Sequence, residues 1–348
     1  MNYVNKIHAF IANNIPFLFD WSLRKQSSKK RNTSQSILDK KTPFWIPMLL
    51  ILPGLILITS FTIVPMVLNI INSFSDKQTD AFTVRNYANI LTDPEFAVGV
   101  RNSFIYGMFV LPFVIMISLI ISSVIAKIYR KHARGFWQTI FFMPYITNAV
   151  AVSLAFIQIF QINGLFNQII GAKVPWLQSN DKFTFNALVA MVINGIWNGL
   201  AFNILIFTTA MLGVDKNLYR SASIDGASGV KQFFTITLPS IKGTINFLVT
   251  LGIIGGLKVF PLALFENKPD IAFNNGGATI MLYVYKSTVD GHWQKAGAAS
   301  LLLFVIGVIY SSLVRGGFFM IQLSLNTLGE RNVWVKVNAS KDLKQKTT

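Results

Sequence analysis

Six apolar runs limit the folds open to this chain more than any other feature. They cover 44–71, 103–128, 136–160, 187–212, 245–265 and 298–321, and each reaches the roughly 20 residues that a helix needs to cross a hydrocarbon core. Backbone N–H and C=O groups inside a bilayer must find partners within the segment, which leaves helices or a closed barrel. The runs are continuous and lack the alternation of a barrel strand. The expected fold is therefore all-α, a polytopic membrane protein with six transmembrane helices. With 52% hydrophobic and 13% charged residues over 348 positions, the chain is too apolar for an ordinary soluble domain.

The formal charge of +17 would suit a nucleic-acid partner if it were gathered on one surface. It is instead distributed by side of the membrane. Lys127, Arg130, Lys131, Arg134, Lys216, Arg220, Lys231 and Lys242 join the two basic tails on one side, while the opposite loops hold few lysines and arginines. The positive-inside rule places that side in the cytoplasm, both termini included. No surface interleaves basic and aromatic residues, so no nucleic acid is expected. The resulting division is a basic cytoplasmic tail over 1–43, a first transmembrane helix over 44–71, a five-helix membrane domain over 97–322, and a basic cytoplasmic tail over 323–348. Ile7, Phe10, Ile11, Phe17, Phe19 and Trp21 fit either a short helix on the lipid surface or a disordered leader. No small-residue cleavage site follows them, so no removable signal peptide is expected.

Catalytic chemistry is sparse. There is no cysteine, and His8, His132 and His292 are too scattered to share a metal, so no metal or cofactor is expected. None of the 14 acidic residues lies well inside an apolar run, although a proton-coupled carrier keeps an ionisable group at membrane depth. The dipeptide Gly-Lys is absent, which removes the phosphate-cradling loop of an ATPase. The chain is not expected to be an enzyme, and any energy would come from a partner.

Polar groups do occur within the runs: Asn148, Gln158, Gln161, Asn194, Trp197, Asn198 and Asn203. Amides bond hydroxyls in both senses and an aromatic face packs on sugar C–H surfaces, so Asn194, Trp197, Asn198 and Lys258 are candidates for a solute pathway. The alternative is glue, since intramembrane Asn and Gln also hydrogen-bond neighbouring helices.

Between the fourth and fifth runs lies the polar stretch 219–239, YRSASIDGASGVKQFFTITLP. It suggests two short helices with a corner. Asp215 can cap the first, and Gly229 is expected to end it in left-handed backbone. Val230, Phe233, Phe234, Thr237 and Leu238 then give one apolar stripe against Lys231 and Gln232. Pro239 suits the first turn of the next helix.

The stretch resembles the cytoplasmic loop of permease subunits in bacterial ABC importers: Glu-Ala-Ala, three residues, Gly, nine residues, Ile-x-Leu-Pro. Here Gly226 is followed after nine residues by Ile236-Thr237-Leu238-Pro239, whereas Arg220, Ser221 and Ala222 stand where the family has Glu, Ala and a small residue. Asp225-Gly226-Ala227 and Phe233 look like the maltose and glycerol-phosphate branch. Lys258-Val259-Phe260, Asn275-Gly276-Gly277-Ala278-Thr279 and Tyr283-Val284-Tyr285 extend the likeness, with Ala278 replacing a usual proline. It covers the second to the sixth run. It implies a type I ABC importer permease fold in a bacterial cell membrane, with a coupling loop over 213–242. Tyr219, Arg220, Ser221, Ala222, Asp225, Gly226, Ala227, Phe233, Phe234, Ile236, Leu238 and Pro239 would meet the ATPase. A second homologous permease, two cytoplasmic ATPase subunits, an external solute-binding protein and membrane lipid are the implied partners. Sugars or oligosaccharides are the implied cargo. Another solute such as glycerol phosphate or a peptide, or a stand-alone secondary carrier, are the alternatives.

Overall fold

The computed structural model describes residues 45–317 and 320, apart from 77, 78 and 80. The expectations for the two basic tails therefore lie outside the described residues. Among the described residues the regular structure is helical, and the only extended pairing is one isolated bridge, Ser75 with Phe82.

The chain divides into two units, Met1–Val64 and Pro65–Thr348. The described part of the first is α1 (Trp45–Ile58) followed by a five-residue π segment, Thr59–Ile63. No residue of α1 is buried, and apolar side chains such as Leu50, Ile56 and Leu57 stand exposed all round it. A helix apolar on every face is a membrane helix.

In the second unit α2 (Val64–Ser73) and α3 (Arg85–Leu91) lead to the long α4 (Pro94–Ala126). Asp93 caps α4 by accepting the Glu95 N–H at 2.9 Å, and Pro94 takes a first-turn position where its missing N–H costs nothing. Next come α5 (Lys131–Ile146), α6 (Ala149–Phe160), α7 (Leu165–Ile170) and α8 (Asn186–Leu212). The elbow consists of α9 (Lys216–Ile224), α10 (Gly229–Gln232), a π segment Phe233–Thr237, and α11 (Leu238–Ser240). Beyond it lie α12 (Lys242–Gly256), a 3-10 turn Leu262–Phe265, α13 (Pro269–Asn274), α14 (Ile280–Val289) and α15 (Trp293–Gly317).

Among the described residues five helices are long and apolar enough to cross a membrane, or six if the pair Gly229–Ser240 and Lys242–Gly256, bent by 71°, is one span. Two expected spans differ in detail. The run 136–160 is broken between α5 and α6, where Thr147 turns extended and Asn148 caps α6 by accepting the Val150 N–H. Asn148 is thus a helix cap and not a pathway amide. The run 245–265 ends its helix at Gly256, and its last residues form the 3-10 turn.

α4 is the axis of this unit, with α8 packed along it most extensively and α12 beside it. Small residues make the approach possible. A Cβ on Gly199 would meet Val114 at 2.8 Å, one on Gly195 would collide with Tyr106, and one on Gly256 would lie 3.1 Å from Cα of Gly107. Two pairs of glycines four apart, Gly195 with Gly199 and Gly252 with Gly256, therefore line the faces of α8 and α12 that meet α4. Their packing leaves a larger apolar core at one end, built on Phe160, Phe265, Phe273, Ile280 and Leu282. A smaller core lies toward the elbow, built on Phe207, Met211, Ile241 and Leu248.

Candidate coupling elbow and solute cavity

The elbow starts as expected: Asp215 accepts the Asn217 N–H at 2.9 Å and opens α9. The expected end is corrected. Gly226, at φ +71°, is the left-handed residue, while Gly229 begins α10 and Ser228 caps it. The Ala227 N–H reaches back to the Ala222 carbonyl at 2.9 Å, and the Gly226 N–H donates to the Ser223 carbonyl at 3.1 Å. A left-handed residue followed by a six-to-one hydrogen bond is the usual way to satisfy the last carbonyls of a helix.

The two arms are tied across the corner. The Gln232 amide donates to Ser223 Oγ and to the Ala227 carbonyl, both at 3.0 Å, and the Tyr219 and Thr237 hydroxyls share a 2.9 Å hydrogen bond. Tyr219→Phe leaves the buried Thr237 hydroxyl without this partner. It is expected to cost about 1 kcal/mol, measured as a lower melting temperature of the purified chain.

Pro239 also differs from expectation, lying near the end of the elbow helix and not at the start of a new one. The helix widens just before it, and the Leu238 N–H bonds the Phe233 carbonyl five residues back. The same arrangement recurs ahead of Pro65, where the Val64 N–H bonds Thr59. In both places the π segment ends two residues before a proline, whose ring and missing N–H disturb the ordinary ladder. The new helix begins instead at Lys242, after the buried Ile241.

The faces of the elbow are now distinct. Phe233 packs against the core around Phe207, Met211 and Ile241. Phe234, its ring edge-on to Phe233, is 61% exposed, and Val230 and Ile224 are 69% and 87% exposed. Arg220, Ser221, Asp225 and Pro239 are exposed as well, whereas Ala222, Ala227, Ile236 and Leu238 are partly covered. The outward face is therefore apolar at its tip and unoccupied by the described residues.

Of the expected pathway residues, Asn194 and Asn198 are joined by a hydrogen bond, and Lys258 lies apart from them. A cavity of about 350 Å³ opens between α4, α8 and α12, lined by Tyr106, Tyr145, Phe202, Asn203 and the glycines Gly195 and Gly252. Asn194, Trp197 and Asn198 lie on α8 but outside this lining, and Lys258 lines a different cavity between α12 and α15. Among the described residues the α8 amides make their hydrogen bonds within α8. Asn198 donates to Asn194, and Asn203 to the Gly199 carbonyl, both within α8; Asn194 Nδ2 is buried without a partner among the described residues.

A polar cluster missed in the sequence lies at the other end of the unit. Asp93 Oδ2 accepts hydrogen bonds from the Tyr283 hydroxyl at 2.5 Å and from Lys295 Nζ at 2.9 Å, and Glu95 pairs with Lys182 at 2.9 Å. Burial raises the Asp93 pKa, but the hydrogen bonds from Tyr283 and Lys295 outweigh it and hold the carboxyl below its ordinary value. Burial and the adjacent carboxylate push the Tyr283 phenol up. A depressed carboxyl stabilises the fold above its unfolded pKa of about 4 and loses that stabilisation as pH falls through the lower folded value. The melting difference between the native chain and Asp93→Asn is therefore expected to be full at neutral pH and to shrink below about pH 4.

Asn102 is the second residue that was missed. Fully buried, its amide donates at 2.8 Å to the carbonyls of both Gly276 and Ala278, and Ser103 Oγ accepts the Ile280 N–H at 3.0 Å. Gly276 needs to be glycine, since φ is +75° and a Cβ would meet the Thr184 carbonyl oxygen at 2.6 Å. The Asn-Gly-Gly-Ala-Thr stretch is thus a bent turn clipped to the first turns of α4.

No protein-family model matches the chain. Individual proteins do. The "Probable ABC transporter permease protein MG188" of Mycoplasma genitalium is 46% identical over 312 residues, 88% of this chain and 94% of the relative. The "Arabinooligosaccharides transport system permease protein AraP" of Halalkalibacterium halodurans is 28% identical over 278 residues, 76% of this chain and 85% of its own. The fold matches a chain from the crystal structure of a bacterial alginate ABC transporter in complex with alginate pentasaccharide-bound periplasmic protein. That match has a TM-score of 0.66 at 21% identity and covers 77% of this chain and 92% of that one. By the extent of its identity to the Mycoplasma protein, this multi-pass membrane chain belongs to the permease proteins of ABC transporters.

Proposed function

We propose that this permease forms, with a second homologous permease, the membrane pathway of an ATP-driven importer for sugars or oligosaccharides. Relatives named for lactose, arabinooligosaccharides and multiple sugars support the cargo class. Two cytoplasmic ATPase subunits dock on the elbow and an external binding protein delivers the solute. Both termini and the elbow face the cytoplasm, in keeping with the basic residues gathered on that side.

The observation that carries this reading is the elbow's unoccupied apolar tip, with Ile224, Val230 and Phe234 exposed while Phe233 is seated in the bundle. A rigid lever needs one end fixed and the other free to be gripped. Closure of the ATPases moves the tip; the Tyr219–Thr237 and Gln232–Ser223 bonds keep the corner from yielding; the bend at Ile241 passes the motion to α12. α12 lines the cavity with α8 and α4, so its tilt alters access to that space. The aromatic rings of Tyr106, Tyr145 and Phe202 and the Asn203 amide give the cavity the apolar faces and hydrogen-bonding edge that a sugar requires.

The chain has no cysteine, so one introduced thiol reports without background. A cysteine at Ile224 is expected to react with a membrane-impermeant maleimide only from the cytoplasmic side and to cross-link to an ATPase subunit. Reaction from the external side alone would remove the elbow from the coupling role.

A further inference from the structure

We propose that the pocket behind the elbow binds a phosphate-bearing anion between Lys127 and Lys216, and that its occupancy sets how firmly the elbow is held to the bundle. This rests on the reading of the elbow as the coupling element. The pocket measures about 350 Å³, and its lining joins the ends of α4 and α8 to both arms of the elbow through Lys127, Lys216, Tyr219, Gln232, Phe233 and Thr237.

Its charge is one-sided. No aspartate or glutamate lines it, and neither lysine forms an ion pair among the described residues. The other polar groups are engaged: Tyr219 with Thr237, and the Gln232 amide with Ser223 and Ala227. Both lysines are exposed at the pocket, and each ammonium offers three N–H bonds to an acceptor. Lys127 Nζ also lies 3.6 Å from the point where a Cβ on Gly229 would sit, which puts it against the elbow itself.

A plain structural explanation serves only one of the two. Lys127 sits at the C-terminus of α4, where the helix dipole favours a cation. Lys216 is the first residue of α9, where the dipole opposes one. An anion bridging them removes that conflict and draws α9 toward the end of α4. Ala126, Met211, Leu212 and Val214 supply apolar walls, so the phosphate can belong to a lipid headgroup with its chains leading into the bilayer, or to free phosphate. The shared chemistry is a phosphate between two lysines.

The test uses the full chain in nanodiscs of phosphatidylcholine. The acylation rates of Lys127 and Lys216 by a water-soluble amine reagent are read by peptide mass spectrometry, with Lys231, exposed as they are but outside the pocket, as the internal reference. Added phosphatidylglycerol or added inorganic phosphate is expected to slow both pocket lysines on the order of fivefold, the lower end of ordinary coupling between sites, and to leave Lys231 unchanged. Slowing by the lipid alone identifies a headgroup, and slowing by the ion identifies free phosphate. No slowing, or equal slowing of Lys231, overturns the proposal. In the reconstituted transporter, the same additions are expected to change ATP-driven uptake by the native chain and not by the Lys127→Gln, Lys216→Gln double variant. Labelling is read on this chain alone, so failure of ATPase subunits to co-purify counts against the importer reading and leaves the anion site standing.

Discussion

A Gly226→Asp chain is expected to insert normally and yet to lose at least about tenfold in uptake, a cost of 1.4 kcal/mol or more in coupling. Two physical causes add. The residue sits at φ +71° at the end of α9, and left-handed backbone costs most residues with a Cβ roughly 1–2 kcal/mol and aspartate somewhat less. None of the described residues lies within 4 Å of the added Cβ, so the new side chain projects from the elbow toward whatever docks there. Gly226→Asn separates charge from bulk, because asparagine has the size of aspartate and tolerates left-handed backbone as aspartate does. If close approach of the ATPase is what requires glycine, the asparagine variant fails too. Uptake normalised to inserted protein is the measurement, and normal uptake by Gly226→Asp contradicts the docking role.

Asn102→Leu is expected to destabilise the chain by about 3 kcal/mol through the layer at the end away from the elbow. Its amide is the donor to two carbonyls, Gly276 and Ala278, at 2.8 Å each. A leucine fills the space but leaves both acceptors buried without that donor, at roughly 1–3 kcal/mol each. Ser103→Ala loses one hydrogen bond to the same layer, from the Ile280 N–H, and is expected to cost about 1 kcal/mol. Thermal unfolding in mild detergent ranks the two. Equal melting temperatures would mean that the turn is held by the surrounding Phe265 and Phe273 packing and not by Asn102.

The sequence made the membrane spans and the elbow legible because both rest on local chemistry. Apolar length reports a span directly, and Asp215 capping α9 is a contact between near neighbours. The corner itself was misplaced by three residues. Gly226 and Gly229 are both able to adopt left-handed backbone, and which one does so depends on the Ala227–Ala222 hydrogen bond and on Ser228 capping α10. The break at Thr147–Asn148 was hidden for another reason: hydropathy measures apolar length and is silent on whether the helix continues. Asn102 was overlooked because its partners lie 174 and 176 residues away. Only the fold shows that glycines of α8 and α12 bound a cavity with Phe202 and Asn203, beside the amides first singled out.

The central claim is that this chain works as one of two permeases driven by separate ATPases. It is tested most directly by native mass spectrometry of the intact assembly, purified in mild detergent through a tag on this chain. The account predicts a complex with one further permease and two ATPase copies, which imports sugar into liposomes only when ATP is supplied. A lone chain or homo-oligomer that moves solute without ATP would contradict it and make the protein a stand-alone carrier.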